Sequence, residues 1–314
     1  MMPISKSALS VQYDLRPAKQ VERRMFVDAF QRLAQAGFEI RDYQYTGFGA
    51  IFFVDFIIFH KLLGISKMLS IEHDESIETR VKFNCPFECV DVKIDLSTNV
   101  IPTLSQGRKH ILWLDYDESV TNALLEDVYL AGSQLSGGSV LLITVDVEPP
   151  DKESDEPKAS QEYFKNEAGK YIGMFEVRDF TKSKLPSTNK LVLLNALQDG
   201  MSGRTGIEYL PMFHFLYADD HKMLTIGGII GSETEKRKIA AMNMKGAKYI
   251  RTKIDSEPYE IKVPTVTRKE RHLLDSNMPC ENGWQPDDFS FPDEDIEIYR
   301  EIYRFLPAYA ELLI

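Results

Sequence analysis

Cysteine is scarce, with three residues at positions 85, 89 and 280 among 314. Three cannot close an even disulfide framework, and Cys85 and Cys89 have no second Cys or His pair to complete a four-ligand zinc site. This usage suits a reducing cytoplasm. Long apolar runs are missing as well. The longest, residues 51–63, is interrupted by Asp55, His60 and Lys61 and is too short to span a bilayer. Residues 1–13 are polar and lack the apolar centre of a signal peptide. Positive charge is in deficit, with 37 Lys and Arg against 48 Asp and Glu, a formal net charge of −11. A broad duplex-binding face needs clustered cations, so general nucleic-acid binding is not expected, nor is a membrane partner. A local basic groove is still compatible with that balance. The cations offered are the Arg16–Arg24 cluster and the 236–248 segment, both readable as solvated helix faces.

What is present is a regular alternation of elements. Val21, Met25, Phe26, Ala29, Phe30 and Leu33 recur at helical spacing, which predicts an amphipathic helix over 17–36 with Gly37 as its stop. Strands are expected at 42–46, 68–71, 89–94, 110–114 and 140–145. Helices are expected at 50–63, 75–83 and 121–131 between them. Apolar strands separated by helices call for a parallel sheet with helices on both faces. After Val147 the pattern changes. Residues 148–160 read as a solvated loop, 161–168 and 187–200 as helices with Ser187 as a cap, and 212–217 with 223–230 as a hairpin. Further short strands are expected within 247–263, and helices at 268–274 and 296–313. The expected fold is therefore α/β, a three-layer Rossmann-like sandwich whose mostly parallel sheet is finished by an antiparallel hairpin. It divides into an N-terminal helical segment (1–40), a class I methyltransferase-like domain (41–231) and a C-terminal extension packed on that domain (232–314).

The most informative spacing is Gly47-Phe48-Gly49 at the end of the first strand, followed 23 residues later by Glu72 at the end of the second. Glycines there let the backbone pass close under a ligand, and an acid at the next strand tip accepts ribose hydroxyls. A dinucleotide site places a third glycine three residues after the second, where this chain has Phe52. S-adenosylmethionine has no pyrophosphate and needs only the shorter motif, and the closing hairpin also favours it. On this reading the cofactor-binding residues are Tyr45, Thr46, Gly47, Phe48 and Gly49 on the methionine side and Glu72 on the ribose. His73 and Asp95 lie at the adenine edge, and Asp115 at the end of the fourth strand. Asp74 is equally readable as a helix cap.

Arg16-Pro17-Ala18-Lys19-Gln20-Val21-Glu22-Arg23-Arg24-Met25, Tyr45-Thr46-Gly47-Phe48-Gly49-Ala50, Met68-Leu69-Ser70-Ile71-Glu72, Leu112-Trp113-Leu114-Asp115-Tyr116-Asp117 and Val145-Asp146-Val147-Glu148-Pro149-Pro150 together resemble a bacterial family of O-methyltransferases. The resemblance runs over most of the chain. It implies a class I, S-adenosylmethionine-binding fold acting on an acceptor that the sequence does not name.

Methyl transfer is an in-line displacement, and an oxygen nucleophile must lose a proton on the way. The catalytic candidates are Asp115 and Asp117. Asp115 is readable as a general base, and the two together as a divalent-cation site facing one side of an extended segment. They are equally readable as a cofactor contact and the cap of the next helix. Asp146 ends the fifth strand and is a further candidate. Asp55, inside an apolar helix, needs hydrogen-bond donors or a cation, which Arg16, Lys19, Arg23 or Arg24 can supply in a structural ion pair; a substrate or cofactor contact is the second reading. His214 and His221, in the hairpin region, read as structural. Two rival functions remain: a non-catalytic nucleoside-binding module in a larger assembly, and a nucleic-acid methyltransferase.

Overall fold

The computed structural model describes residues 16–150 and 156–308. The polar N-terminal stretch, part of the acidic loop and residues 309–313 of the expected 296–313 helix lie outside the described residues, and the described part of that helix already ends at Ile302. In chain order the elements are α1 (Pro17–Gln35), β1 (Gln44–Gly47), α2 (Val54–Leu63), β2 (Met68–Glu72), α3 (Glu78–Asn84), β3 (Val90–Ile94), α4 (Ser97–Val100) and β4 (His110–Asp115). Then come α5 (Asn122–Gln134), β5 (Ser139–Asp146), α6 (Pro157–Ala168), α7 (Leu185–Met201), β6 (Glu208–Ala218), β7 (Lys222–Gly231), α8 (Glu233–Ala240), β8 (Tyr259–Ile261), α9 (Arg268–Asn277) and α10 (Asp293–Ile302).

Among the described residues the strands form one sheet in the order β3-β2-β1-β4-β5-β7-β6-β8. The first five are parallel, β7 is antiparallel to β5 and to β6, and β8 lies parallel to β6. This is the mostly parallel sheet with a closing hairpin that the sequence predicts. Strand alternation feeds two cores. Tyr45, Ile111, Trp113, Val140 and Leu142 point to the face covered by α1 and α2. Leu112, Leu114, Leu141, Ile143 and Val145 point to the face covered by α5 and α7. A smaller cluster of Leu274, Ile296 and Tyr299 joins α9 to α10.

Several boundaries differ from expectation. The apolar run 50–63 is not one helix, because Ala50 (φ 44°) and Phe53 (φ 50°) are left-handed and α2 begins only at Val54. Such residues cost on the order of 1 kcal/mol or more each, and they hold the turn that leaves β1. Ser187 is not a cap. Helix α7 starts two residues earlier with Pro186 in its first turn, and the Ser187 hydroxyl donates back to Lys184 O at 2.8 Å. Within 247–263 the strand formed is β8 alone.

Helix α1 is the element that periodicity describes least well. Its apolar stripe is buried as expected, and Phe26 meets the rings of Trp113 and Phe213 edge-on at 5.0 and 4.9 Å. Lys19, Glu22 and Arg23 are buried on the same helix. The guanidinium of Arg23 pairs with Asp55 on α2, which answers the need for a cation at Asp55. The N-terminus of α1 has no local side-chain cap. The Asp219 carboxylate, at the tip of the β6–β7 hairpin, accepts from Ala18 N at 2.9 Å and Lys19 N at 3.0 Å.

Removing one member of a buried ion pair strands the other charge, at a cost of roughly 3–5 kcal/mol, while replacing both by apolar groups is close to neutral. Arg23→Met should therefore lower the unfolding free energy by about that amount in urea titrations, and adding Asp55→Leu should restore most of it. His214 on β6 donates from Nδ1 to Ser256 O at 2.9 Å. Burial, with the Lys190 ammonium adding to it, pushes its imidazole down to about 4. An unfolded histidine titrates near 6.5. Between those values the unfolded chain takes up a proton that the folded chain refuses, so stability falls as pH falls through that window. His214→Asn should flatten the dependence of Tm on pH between about 6.5 and 4.

Candidate functional site

The site predicted from sequence lies at the C-terminal ends of β2, β1 and β4. Gly47 is level with Ser70 on β2 and with Trp113 on β4. Glu72 and Asp115 each stand two residues further along, so they flank the turn after β1 at one height. With two strand spacings between them, their backbones are roughly 10 Å apart.

The two glycines are required by the protein's own packing. A Cβ on Gly47 would fall 2.6 Å from the Tyr45 hydroxyl and 3.3 Å from Trp113 O. A Cβ on Gly49 would fall 2.5 Å from Ser70 Oγ and 2.8 Å from the Phe53 ring. Gly49 N–H donates to that Ser70 hydroxyl at 3.2 Å, which fixes the turn to β2. Tyr45 is corrected by the same observation. It is fully buried against Phe56 and Phe59, so its side chain supports the turn from below and does not reach the sheet edge. Thr46 points to the opposite face, buried, with a hydroxyl that has no hydrogen-bond partner among the described residues. Phe48 packs edge-on against Tyr116 at 5.2 Å and forms an aromatic wall between the ends of β1 and β4. Behind it the Tyr116 and Ser97 hydroxyls both donate to Asp127, whose carboxyl burial pushes up.

Glu72 is 8% exposed. Its Oε1 accepts from Asp74 N at 3.0 Å and lies 3.5 Å from His73 Nδ1, while its Oε2 has no partner among the described residues. His73 is largely exposed. Asp74 accepts from Ser76 N at 2.9 Å and so caps the short turn before α3. Asp95, just past β3, donates its N–H to Glu72 O at 2.9 Å. Its carboxylate accepts from the Asn99 side chain and Leu96 N, both at 2.8 Å, and these bonds hold it below the usual range.

Asp115 differs most from the sequence reading. Its Oδ1 is 2.6 Å from the ammonium of Lys19, which comes from α1. That ammonium also lies 2.9 Å from Glu22, 3.0 Å from the Tyr217 hydroxyl and 4.4 Å above the Trp113 ring. Burial opposes its charge, yet Asp115 and Glu22 more than offset this and hold it above the ordinary lysine range. A carboxylate so engaged is a poor choice for accepting a substrate proton. Asp117 lies past the end of β4 on an exposed bend, so the alternation expected to align it with Asp115 does not extend to it. It does not cap the next helix either, because Thr121 fills that role with its hydroxyl 3.3 Å from Leu124 N. Among the described residues, no group of three or more His, Cys, Asp or Glu is arranged to hold a metal ion.

Sequence reasoning missed Lys19 as a site residue and missed the pairing of Asp146 with His221. Asp146 Oδ2 is 2.9 Å from His221 Nδ1, and its Oδ1 accepts from Glu148 N at 2.7 Å. A cavity of about 850 Å³ lies at the same sheet edge on the hairpin side, lined by Arg16, Glu148, Tyr217, Asp220 and Lys222 among others. Among the described residues no helix is long and apolar enough to cross a membrane.

No curated protein matches the chain in sequence. Among solved structures it is similar to Trm1 from Pyrococcus horikoshii with S-adenosyl-L-methionine, at 10% identity over 82% of this chain and 68% of that one, TM-score 0.46. It is also similar to a probable spermidine synthase from Corynebacterium glutamicum, at 11% identity over 83% and 85%, TM-score 0.42. A third likeness is to a putative O-methyltransferase from Klebsiella pneumoniae, at 10% identity over 71% and 93%, TM-score 0.37. None of these likenesses bears on what this chain acts on. The model of the family described as "Putative O-methyltransferase" matches residues 11–314, and the chain belongs to that family.

Proposed function

We propose that the protein transfers a methyl group from S-adenosylmethionine to an oxygen of an acceptor, with the donor held across the ends of β2, β1 and β4. The observation that carries the binding site is Glu72. A buried carboxylate with one oxygen fixed by a backbone N–H, and with no hydrogen bond to the other among the described residues, is prepared for a hydroxyl-bearing ligand. It fits the ribose. The unpaired hydroxyl of Thr46 and the strained turn at Ala50 and Phe53 stand at the same strand end. Asp95 and Leu96 serve the adenine side. Asp115, at the end of β4 and paired through Oδ1 with Lys19, stands at the same edge.

S-adenosylmethionine, when bound, supplies a methyl group on a positively charged sulfur. The chain's own residues orient the donor and acceptor and exclude water between them. A small acceptor is favoured over a nucleic acid because cations of both candidate basic clusters are engaged by groups of the chain itself, in the interior for the first cluster and on the surface for the second. Lys19 and Arg23 are buried in ion pairs. Lys236 pairs with Glu208, Lys248 with Glu301, and Lys238 donates to Gly37 O at 2.8 Å.

Calorimetry with S-adenosylmethionine, its demethylated product and NAD tests the ligand class directly, and the first two should bind while NAD does not. Glu72→Ala should weaken S-adenosylmethionine binding by about 1–3 kcal/mol; unchanged affinity removes Glu72 from the site. Asp115→Asn should lower both Tm and cofactor affinity, since the same carboxylate anchors Lys19. A loss of turnover with neither change would restore Asp115 as the base.

A further inference from the structure

We propose that His221, oriented by Asp146, is the general base that takes the proton from a small hydroxyl-bearing acceptor. This rests on the reading above, in which the donor lies over the end of β4. Transfer to oxygen needs a proton acceptor, and the Asp115 carboxylate is held by Lys19. The carboxylate–imidazole pair of Asp146 and His221 stands one strand away. Asp115 is level with Thr144 on β5, and Asp146 is two residues further along that strand. Strand spacing and rise put the two backbones roughly 8 Å apart. Because strand side chains alternate, Asp115, Thr144 and Asp146 all project to the face covered by α1.

Asp146 is nine-tenths buried and pinned by Glu148 N at 2.7 Å, so it is a fixed carboxylate. Its 2.9 Å contact with Nδ1 places the histidine proton on that nitrogen and leaves Nε2 with a lone pair. The His221 side chain is 45% exposed, open enough for a substrate to reach. Its two chain neighbours, Asp220 and Lys222, line the cavity of about 850 Å³, a volume that suits a small molecule. The competing histidine, His73, lies past β2 beside the ribose carboxylate, on the far side of β1 from the hairpin.

The step balances without a further reactant. The acceptor oxygen forms the new O–C bond as the C–S bond breaks with its electron pair going to sulfur. The O–H proton passes to Nε2, and the resulting imidazolium is stabilised by Asp146 until it releases the proton to water. His221 is the catalytic residue in this scheme and Asp146 is a positioning residue.

Long-range ¹H–¹⁵N NMR on the full chain, with His221→Gln to assign the signal, reads the tautomer without any acceptor. The expected result is a proton on Nδ1 and a bare Nε2, with Asp146→Asn abolishing that preference. A proton fixed on Nε2 overturns the proposal. Release of the demethylated product is then measured with a panel of phenols and small alcohols. His221→Gln should cut kcat by about 10²–10⁴-fold while its calorimetric affinity for S-adenosylmethionine stays at the wild-type value. Full kcat in that variant, or a wild type that binds the cofactor yet is silent with every panel member, overturns it. A wild type that fails to bind S-adenosylmethionine refutes the cofactor reading instead, and the tautomer result stands apart from that.

Discussion

A buried ammonium organises this molecule. Lys19 enters from the first described helix and meets Asp115, Glu22 and the Tyr217 hydroxyl over the Trp113 ring. A lysine enclosed this way persists as a cation only because carboxylates surround it. With the adjoining Arg23–Asp55 pair, the cluster holds two cations against three carboxylates. The surplus negative charge falls to Glu22, whose carboxyl burial pushes up. Through this cluster the first described helix becomes part of the wall formed with the strand ends.

Polar chains tie the sheet together under that wall. Trp113 Nε1 donates to the Thr144 hydroxyl at 3.0 Å, and Thr144 and Thr225 share a hydrogen bond of 2.8 Å. This line runs from Trp113 on β4 to Thr144 on β5 and Thr225 on β7, the last two at the height of Asp115, so β4 and the hairpin are joined through fully buried groups. The turn after β1 is set by a different constraint. Tyr45, Ser70 and Phe53 fill the space where glycine side chains would be, and two non-glycine residues take up left-handed geometry to turn the chain into α2. Rigid support below and strain above are what a binding loop needs to keep one shape.

The sheet was legible because its information is local. Apolar runs of strand length, separated by helical spacing and followed by a hairpin, dictate a parallel sheet with an antiparallel end, and the structure has that order. Gly47, Gly49 and Glu72 were legible as strand-end residues for the same reason, and in the structure the glycines make room for Tyr45, Ser70 and Phe53. Of the charged network only the need of Asp55 for a cation was legible. Lys19 and Asp115 are 96 residues apart and Asp146 and His221 are 75 apart; the packing of α1 on the sheet joins the first pair and the pairing of β5 with β7 the second. The late start of α2 was invisible because Ala50 and Phe53 carry no residue-type signal for left-handed backbone. The Pro186 signal for the start of α7 was present in the sequence and was outweighed by Ser187.

The cap on α1 carries a consequence for biosynthesis. Two backbone N–H groups at the start of that helix are satisfied by a carboxylate some 200 residues later in the chain. On a ribosome adding about 5–20 residues per second, the helix emerges roughly 10–40 s before its cap does. Until Asp219 arrives, the helix start has only water to satisfy it and Lys19 has no Tyr217 to meet. The nascent chain therefore completes this helix late, when the hairpin folds back over it.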